Sequence, residues 1–509
     1  MSPSPRLSRC LVAKNDHSYE LFLDDKPCRL IGDFSEFIQA LLNFPERITS
    51  VHLHSSFVKE LSESQKVELF DSLVHLEELN IASATVSAPL LTRILKSAPG
   101  MQRLCMERVV FIRSAQDGLT CQEDFYLALS GLQNLQEFHL CLSAASPNIP
   151  EGMRLFFQDG DKLDNLFQSL SSTDSLKKFY LSVGRNTRDN FIEPSNLKTF
   201  AAQASVEDMT LVNCHLNEEQ CMAIATSPSL VSLSLINAGL GPEGALVMAQ
   251  ALPKMTSLKK LYLPENKIMS EAAAAIAQAS SNLQVLDLHD NNLKASFAKT
   301  MAANLGVLKF LDISCNPLGD AGAGALAESL SVNTNLAQLN LYDTNLSDKS
   351  CKVFATTLCR NQTMKRLNLY KNQDISSAGV KAFVQTLEAS NYTLERLEVS
   401  KDRELEATLE VYLKLNRKFG RRQLLAPSTT DEQYFEGIQK AVNESDLSSI
   451  FYLMQQRPSL HTSLNPSCEP RMEVPTSSCI VPTKLFSAAP RPSLKDYMVQ
   501  GMIFTNPQA

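Results

Sequence analysis

LKKLYLPENKI (Leu258–Ile268), LQVLDLHDNNL (Leu283–Leu293) and LKFLDISCNPL (Leu308–Leu318) are one phrase written three times. An aliphatic residue stands at the first, fourth, sixth and eleventh letters, and asparagine at the ninth. Marking the first position of each copy gives Val206, Leu230, Leu258, Leu283, Leu308, Leu336, Met364 and Leu394, at steps of 24, 28, 25, 25, 28, 28 and 30 residues. Looser copies run backwards from these, beginning at Ile48, Leu76, Met101, Leu135 and Leu176, for thirteen units in all. Steps of 34 and 41 residues among the early copies mark insertions rather than a break. A period in this range is the signature of a stacked array, in which one structural unit recurs.

Within a unit the letters have separate physical jobs. Alternation at Leu286 and Leu288 predicts a strand with those two side chains inward and Asp287 and His289 on the other face. The ninth-position asparagines, Asn266, Asn291, Asn316 and Asn372, fall where the chain leaves the strand. A buried amide there can serve backbone groups of neighbouring coils that no strand partner reaches. Cys214 and Thr344 take the same place and are small enough to substitute. The return limb is helical: in GDAGAGALAESL (Gly319–Leu330), Ala323, Leu326 and Leu330 recur at helical spacing. No such unit buries its apolar face alone, so coils must stack. The expected fold is α/β, a leucine-rich repeat horseshoe solenoid of about thirteen βα units with caps at both ends.

Composition narrows the function. Of 509 residues, 44% are hydrophobic, enough for a long core, and the net charge of −7 argues against general affinity for nucleic acid or anionic membrane. No apolar run reaches the length of a membrane span, and the N-terminus lacks the apolar stretch of a secretory signal. Twelve cysteines form no CxxC pair and read as small apolar fillers of a reduced protein, placing the chain in the cytoplasm or nucleus. Four N-x-S/T sequons, at Asn345, Asn361, Asn391 and Asn443, are about what chance supplies. Gly239–Gly244 spells G-x-G-x-x-G, but Leu240 is the eleventh letter of a repeat and Pro242 removes a donor from any phosphate cradle, so it reads as a turn. With no HExxH or G-x-S-x-G, the sequence points to a protein that is not an enzyme and needs no cofactor.

The expected organisation is an N-terminal cap at 1–47, its first 18 residues or so disordered, and a solenoid at 48–402. Inserts interrupt the solenoid near 111–122, 143–163 and 183–196. A helical cap follows at 403–457, then a proline-rich disordered tail at 458–509. In the first cap, Tyr19–Gly32 reads as a hairpin turning at Asp24–Pro27, followed by a helix capped by Asp33. In the second, Leu405, Leu409, Tyr412 and Phe419 make one apolar helix face that stops at Gly420. Thr430 and Gln433 then form a capping box before Tyr434, Phe435, Ile438 and Val442, and Leu447, Ile450, Phe451 and Met454 continue the pattern.

Residues 206–402, carrying these phrases, resemble the ribonuclease-inhibitor type of leucine-rich repeat. That family is shared by ribonuclease inhibitor, the sensors of NOD-like receptors and the GTPase activator of Ran. EVYLKLNRKFGRRQLL (Glu410–Leu425) resembles the tail of uncharacterised leucine-rich repeat proteins from diatoms and related algae. The resemblance implies a fold more than a task, since one horseshoe serves unrelated functions. It makes a protein-binding scaffold or adaptor the first expectation, with one or more protein partners. A Ran-type GTPase activator using Arg103, Arg108 or Arg113, and a sensor module without the nucleotide-binding domain, are the alternatives.

A partner would meet the concave strand face. Its fifth-position row runs His52, Asn80, Cys105, His139, Tyr180, Thr210, Ser234, Tyr262, Asp287, Asp312, Asn340, Asn368, Glu398. The seventh-position row includes His289, Tyr342 and Tyr370. Tyr262, Asp287, His289, Asp312, Asn340, Tyr342, Asn368 and Tyr370 are the candidate protein-binding residues, because tyrosines among polar groups mark interface hot spots. Asp287, His289 and Asp312 have the donor types of a metal or acid–base cluster, but a solvated polar face is the simpler reading, and no metal is expected. The inserts, with Leu155, Phe156 and Phe157, form a second candidate surface. The basic cluster Lys414, Arg417, Lys418, Arg421 and Arg422 is expected to complement the C-terminal dipole of its own helix.

Overall fold

The computed structural model describes residues 10–15, 18–23, 47–54, 64, 68–69, 71, 73, 75–114, 120–142, 153–155, 163–183, 193–203, 205–399, 403–426 and 428–457. The chain divides into two compact units, Met1–Ser449 and Ile450–Ala509. In the first, strand and helix alternate in the order the repeat dictates. The early elements are β1 (Leu11–Asn15), β2 (Ser18–Leu23), β3 (Arg47–His54), β4 (Glu78–Ala82), β5 (Thr85–Ser87), α1 (Ala88–Ser97), β6 (Arg103–Ser114) and α2 (Thr120–Ser130). Then come β7 (Glu137–Leu142), β8 (Met153–Leu155), α3 (Asp164–Leu170), β9 (Lys178–Ser182), α4 (Pro194–Gln203), β10 (Asp208–Val212), α5 (Glu218–Ile224), β11 (Ser232–Ile236) and α6 (Gly241–Ala251). The regular half continues with β12 (Lys260–Tyr262), α7 (Met269–Ala279), β13 (Val285–Asp287), α8 (Ala295–Ala303), β14 (Phe310–Asp312) and α9 (Gly319–Leu330). It ends with β15 (Gln338–Asn340), α10 (Asp348–Leu358), β16 (Arg366–Asn368), α11 (Ser377–Ala389) and β17 (Arg396–Glu398). Four helices follow: α12 (Arg403–Phe419), α13 (Arg421–Leu424), α14 (Asp431–Asn443) and α15 (Leu447–Gln456).

One parallel ladder runs from β2 through β3, β4, β6, β7 and β9 to β17. Each strand of this ladder from β3 onward belongs to one of the thirteen repeats, so the first unit is an α/β leucine-rich repeat horseshoe. The fourth and sixth letters lie inward. Leu261, Leu286 and Leu311 are fully buried, as are Leu263, Leu288 and Ile313. Ala323, Leu326 and Leu330 meet them from the helical side, also buried. Every coil therefore shares its apolar core with the next, and burial at about 25 cal/mol per Å² accumulates along the stack rather than around a centre.

The ninth-position asparagines stitch coil to coil. Asn291, fully buried, donates to Leu263 O at 2.8 Å and accepts from Asn266 N at 3.0 Å, both in the coil before it. Asn266 and Asn372 do the same, donating to Leu235 O at 2.7 Å and Leu341 O at 2.9 Å. Thr344 keeps the local bond, Oγ1 to Leu341 O at 2.8 Å, and reaches Asn372 Oδ1 in the next coil at 3.4 Å, with no side-chain bond to the coil before it. A second set works at the opposite turn, where helix returns to strand. Asn361 donates to Leu330 O and Asn391 to Leu358 O, at 2.8 and 2.9 Å. These two sequon asparagines are buried, and each amide is committed to the preceding coil.

The N-terminal hairpin differs from the expectation. β1 pairs antiparallel with β2, and Leu11–Asn15 is strand within the stretch expected to be disordered; the turn expected at Asp24–Pro27 lies outside the described residues. β2 then adds to the array parallel to β3. The helix expected after Asp33 falls outside the described residues, as does the tail from 458. The inserts contribute regular structure of their own: β6 runs on to Ser114 and pairs with β5 on one side and antiparallel with β8 on the other. At the far end, α12 packs on α11 and β17. Its buried face is Leu409, Tyr412, Leu413, Leu415 and Phe419, while Leu405 is half-buried. The capping box at Thr430 and Gln433 is formed. Of the apolar face expected on α14, Tyr434 and Ile438 are buried but Phe435 and Val442 are exposed, because Ala441 occupies the inward position. No helix among the described residues is long and apolar enough to cross a membrane.

Candidate functional site

Strand register aligns the outward rows residue by residue. His52, Asn80, Cys105, His139, Tyr180, Thr210, Ser234, Tyr262, Asp287, Asp312, Asn340, Asn368 and Glu398 face one another in unbroken succession. Parallel strands spaced about 4.8 Å apart make this row a physical stripe. Tyr262, Asp287, His289, Asp312, Asn340, Tyr342, Asn368 and Tyr370 all lie on this surface, each half-buried among its neighbours rather than fully exposed.

Polar contacts hold the late part of the stripe in place. Asp287 Oδ1 accepts from the backbone N–H of His289 at 2.9 Å and lies 3.0 Å from its Nδ1. That hydrogen bond raises the His289 pKa above its ordinary value against the opposing effect of burial. Asp312 accepts from Ser314 N at 2.9 Å and Oγ at 2.6 Å, and from Asn340 Nδ2 at 2.6 Å. Burial pushes the Asp312 carboxyl above the usual range, with the Asp287 charge adding to it. Asn340 and Asn368 accept from the amides of Tyr342 and Tyr370 at 3.2 and 2.9 Å, fixing the backbone under both rings. The rings themselves lie 6.1 Å apart at 35°, with Lys371 Nζ 5.1 Å from the centre of Tyr342.

Asp287, His289 and Asp312 do converge, with one donor atom from each within 4.8 Å of the others. Their carboxylates, however, already accept from Ser314, Asn340 and the His289 amide. That bonding describes a rigid, polar, acidic platform. Glu265 and Asp312 add to the field at His289, and Asp290, Asp343 and Asp312 to that at Cys315.

The early repeats show what pattern reading missed. An alternating charge ladder crosses their third positions: Lys14 to Glu78 at 2.8 Å, Glu78 to Arg103 at 3.3 Å, Arg103 to Glu137 at 2.9 Å and Glu137 to Lys178 at 2.6 Å. Arg103 is thereby held between two carboxylates. Beside the ladder, His139 stacks on Tyr180 with centroids 3.9 Å apart, and Phe22 stacks on His52 at 4.3 Å. His52, His139 and Tyr180 stand in the rows read from the sequence and Phe22 does not, and only the register shows that the rings touch. Phe156, Phe157 and most of the insert residues lie outside the described set.

The basic cluster is redistributed. Lys414 pairs with Asp446 at 2.7 Å, Arg417 with Glu410 at 2.8 Å and Lys418 with Glu444 at 2.7 Å. Arg421 is buried and donates to Leu387 O at 2.5 Å and Glu388 O at 3.0 Å. It thus complements the C-terminus of α11, the last helix of the array, and not the dipole of its own helix as expected. At the glycine motif, Gly239 and Gly241 have φ of 68° and 60°, and a Cβ on Gly239 would come within 2.8 Å of His215 Nδ1. The motif is a repeat turn that needs glycine for close approach.

Comparison with known proteins agrees with this architecture. A family model described as leucine-rich repeat matches residues 307–327 and 360–384. Ribonuclease inhibitor from Sus scrofa is 30% identical over 197 residues, covering 38% of this chain and 38% of that protein. Its counterpart from Mus musculus is 26% identical over 211 residues, covering 39% and 46%. NACHT, LRR and PYD domains-containing protein 5 from Homo sapiens is 26% identical over 247 residues, covering 40% and 20%. The chain spans less than half the length of each of these relatives. In repeat length, ladder and buried asparagines, the chain is built as a leucine-rich repeat solenoid, and it is similar to the ribonuclease-inhibitor type.

Proposed function

We propose that the protein is a non-catalytic binding scaffold that takes a basic polypeptide segment on the strand face between Tyr262 and Tyr370, in a cytoplasmic or nuclear setting. The observation that carries this reading is the unbroken stripe itself. Two tilted tyrosines stand beside Asp287 and Asp312, with Glu265, Asp290 and Asp343 along its rim. Lys267 and Lys371 lie on the same rim, and Lys260 and Arg366 on the strands themselves. Rigid aromatic rings contribute contact area at small entropic cost, and an acid-rich rim speeds encounter with an oppositely charged partner. A GTPase-activating role draws no support from Arg103, whose guanidinium is engaged by Glu78 and Glu137.

The test is recovery of the partner by proximity labelling in the native cell, followed by capture with purified full-length chain. Tyr342→Ala combined with Tyr370→Ala is expected to abolish capture while leaving thermal unfolding unchanged, and capture by the parent is expected to weaken with salt. Unaltered capture by the double variant would remove the stripe as the binding site.

A further inference from the structure

Cys105 and His139 are directly opposed in the ladder between β6 and β7. Glu107 follows two residues along β6 and Cys141 two residues along β7, on the same outward face. One donor atom from each of Cys105, Glu107 and His139 lies within 4.8 Å of the other two. The two strands are not regular here. Register passes from Met106 opposite Leu140 to Val109 opposite Leu142, so Glu107 and Arg108 together face Cys141. Arg108 takes a φ of 51°, which a non-glycine residue adopts only when its surroundings hold it there. This is a β-bulge, a device that re-aims side chains beside functional sites.

The three groups differ from the Asp287 cluster in one respect. The Cys105 thiol, the Glu107 carboxylate and the His139 ring nitrogens have no hydrogen-bond or ion-pair partner among the described residues. His139 is held by its stack on Tyr180, and Cys105, His139, Tyr180, Asn80 and Thr210 line a cavity of about 270 Å³. Sulfur, imidazole nitrogen and carboxylate oxygen together form a borderline-soft donor set suited to a tetrahedral ion. Around such an ion the donors stand about 3.3–3.8 Å apart, a contraction within reach of side-chain rotation.

We propose that Cys105, Glu107 and His139 form a binding site for a Zn²⁺-class transition metal on the strand face, with water at the fourth position. Burial raises the Cys105 thiol to about 11, so the metal-free site holds a protonated sulfur. Metal binding then releases that proton to solvent as the metal–sulfur bond forms, and affinity rises with pH. Burial lowers the pKa of His139, which keeps its imidazole neutral with a lone pair free to ligate.

Co²⁺ titrated into the reduced, chelator-treated full chain is the test, with Zn²⁺ as competitor. One equivalent is expected to bind with a thiolate-to-cobalt charge-transfer band that Zn²⁺ removes, and Zn²⁺ is expected to raise the melting temperature. Cys105→Ser and His139→Gln should each weaken binding by more than about 100-fold, exceeding the loss typical of an outer-shell partner, with unfolding of the metal-free protein little changed. Cys315→Ser and Cys359→Ser remove exposed thiols and should leave the band intact. Absence of the band overturns the proposal, as does its survival in Cys105→Ser or its loss in Cys315→Ser. Loss of binding in His289→Gln would place the ion at the acidic cluster and equally overturn it. Should Cys105→Ser fail to fold, His139→Gln carries the same decision.

Discussion

Asn316 completes the backbone of Asn291. Its side-chain oxygen accepts the Asn291 amide at 2.9 Å and the Leu293 amide at 2.8 Å, while its Nδ2 donates to Leu288 O at 3.0 Å. Replacing Asn316 by alanine strands these groups in a dry turn, where each unmade bond costs about 1–3 kcal/mol. Asn316→Ala should lower unfolding stability by about 3–5 kcal/mol in urea titration. Asn316→Thr should cost less than the alanine variant, because Thr344 fills the same place in another coil. Equal losses would show that the ladder contributes nothing beyond volume.

Arg421 does for the last helix what the asparagines do for the turns. Its guanidinium lies 4.9 Å from the centre of the Tyr392 ring and 4.8 Å from that of Tyr412, and both of its terminal nitrogens reach α11 carbonyls. Arg421→Lys retains charge but loses the planar fork and the stacking, so it should destabilise by about 2 kcal/mol, and Arg421→Ala by about 3–4 kcal/mol. Thermal unfolding of the two variants beside the parent checks the order. A lysine variant as stable as the parent would contradict it.

Two helical glycines should respond to alanine with opposite signs. A Cβ at Gly379 would lie 2.5 Å from Asp348 Oδ1 and 3.1 Å from Cys351 Cβ, displacing the carboxylate that holds Ser376 N and Oγ at 2.7 and 2.6 Å. Gly324, inside α9, has nothing within 4 Å. Gly379→Ala should cost about 1–3 kcal/mol through overpacking, whereas Gly324→Ala should gain about 0.5–1 kcal/mol through lower unfolded-state entropy. Differential scanning calorimetry separates the two.

His289 and His139 should titrate on opposite sides of the ordinary imidazole value of 6.5. Asp287 raises the pKa of His289, so this pair stabilises the fold fully below pH 6.5 and ceases to do so as pH rises through the raised value. In Asp287→Asn the His289 resonance should shift to a lower midpoint in NMR titration, and the stability gain at acidic pH should vanish. An unmoved midpoint would exclude the pairing.

The fold was legible because the repeat states it in letters that have one physical meaning each. Leu286, Leu288 and Asn291 could each be assigned before any coordinate was known, and register then followed for every outward residue. Legibility ended where a residue acts outside its own unit. Arg421 reaches 34 residues back to Leu387, a distance that no local pattern encodes. The short strand Leu11–Asn15 was missed because five residues near a polar terminus carry too little periodicity to stand out. The sequons at Asn361 and Asn391 looked like chance, since the spelling of a glycan acceptor and of a buried structural amide is the same. Cys105 and His139 stand 34 positions apart, and only the ladder and its bulge bring them into one cluster.

Both asparagine ladders reach in one direction, toward the coil already made. Asn291 serves the coil of Asn266, Asn391 that of Asn361, and at the end Asn416 donates to Leu394 O at 2.8 Å from the first capping helix. A chain emerging from the ribosome therefore cannot finish a coil served by these asparagines until the following one has arrived. Across the regular half consolidation trails synthesis by one repeat, and the last repeat waits for Asn416 and Arg421.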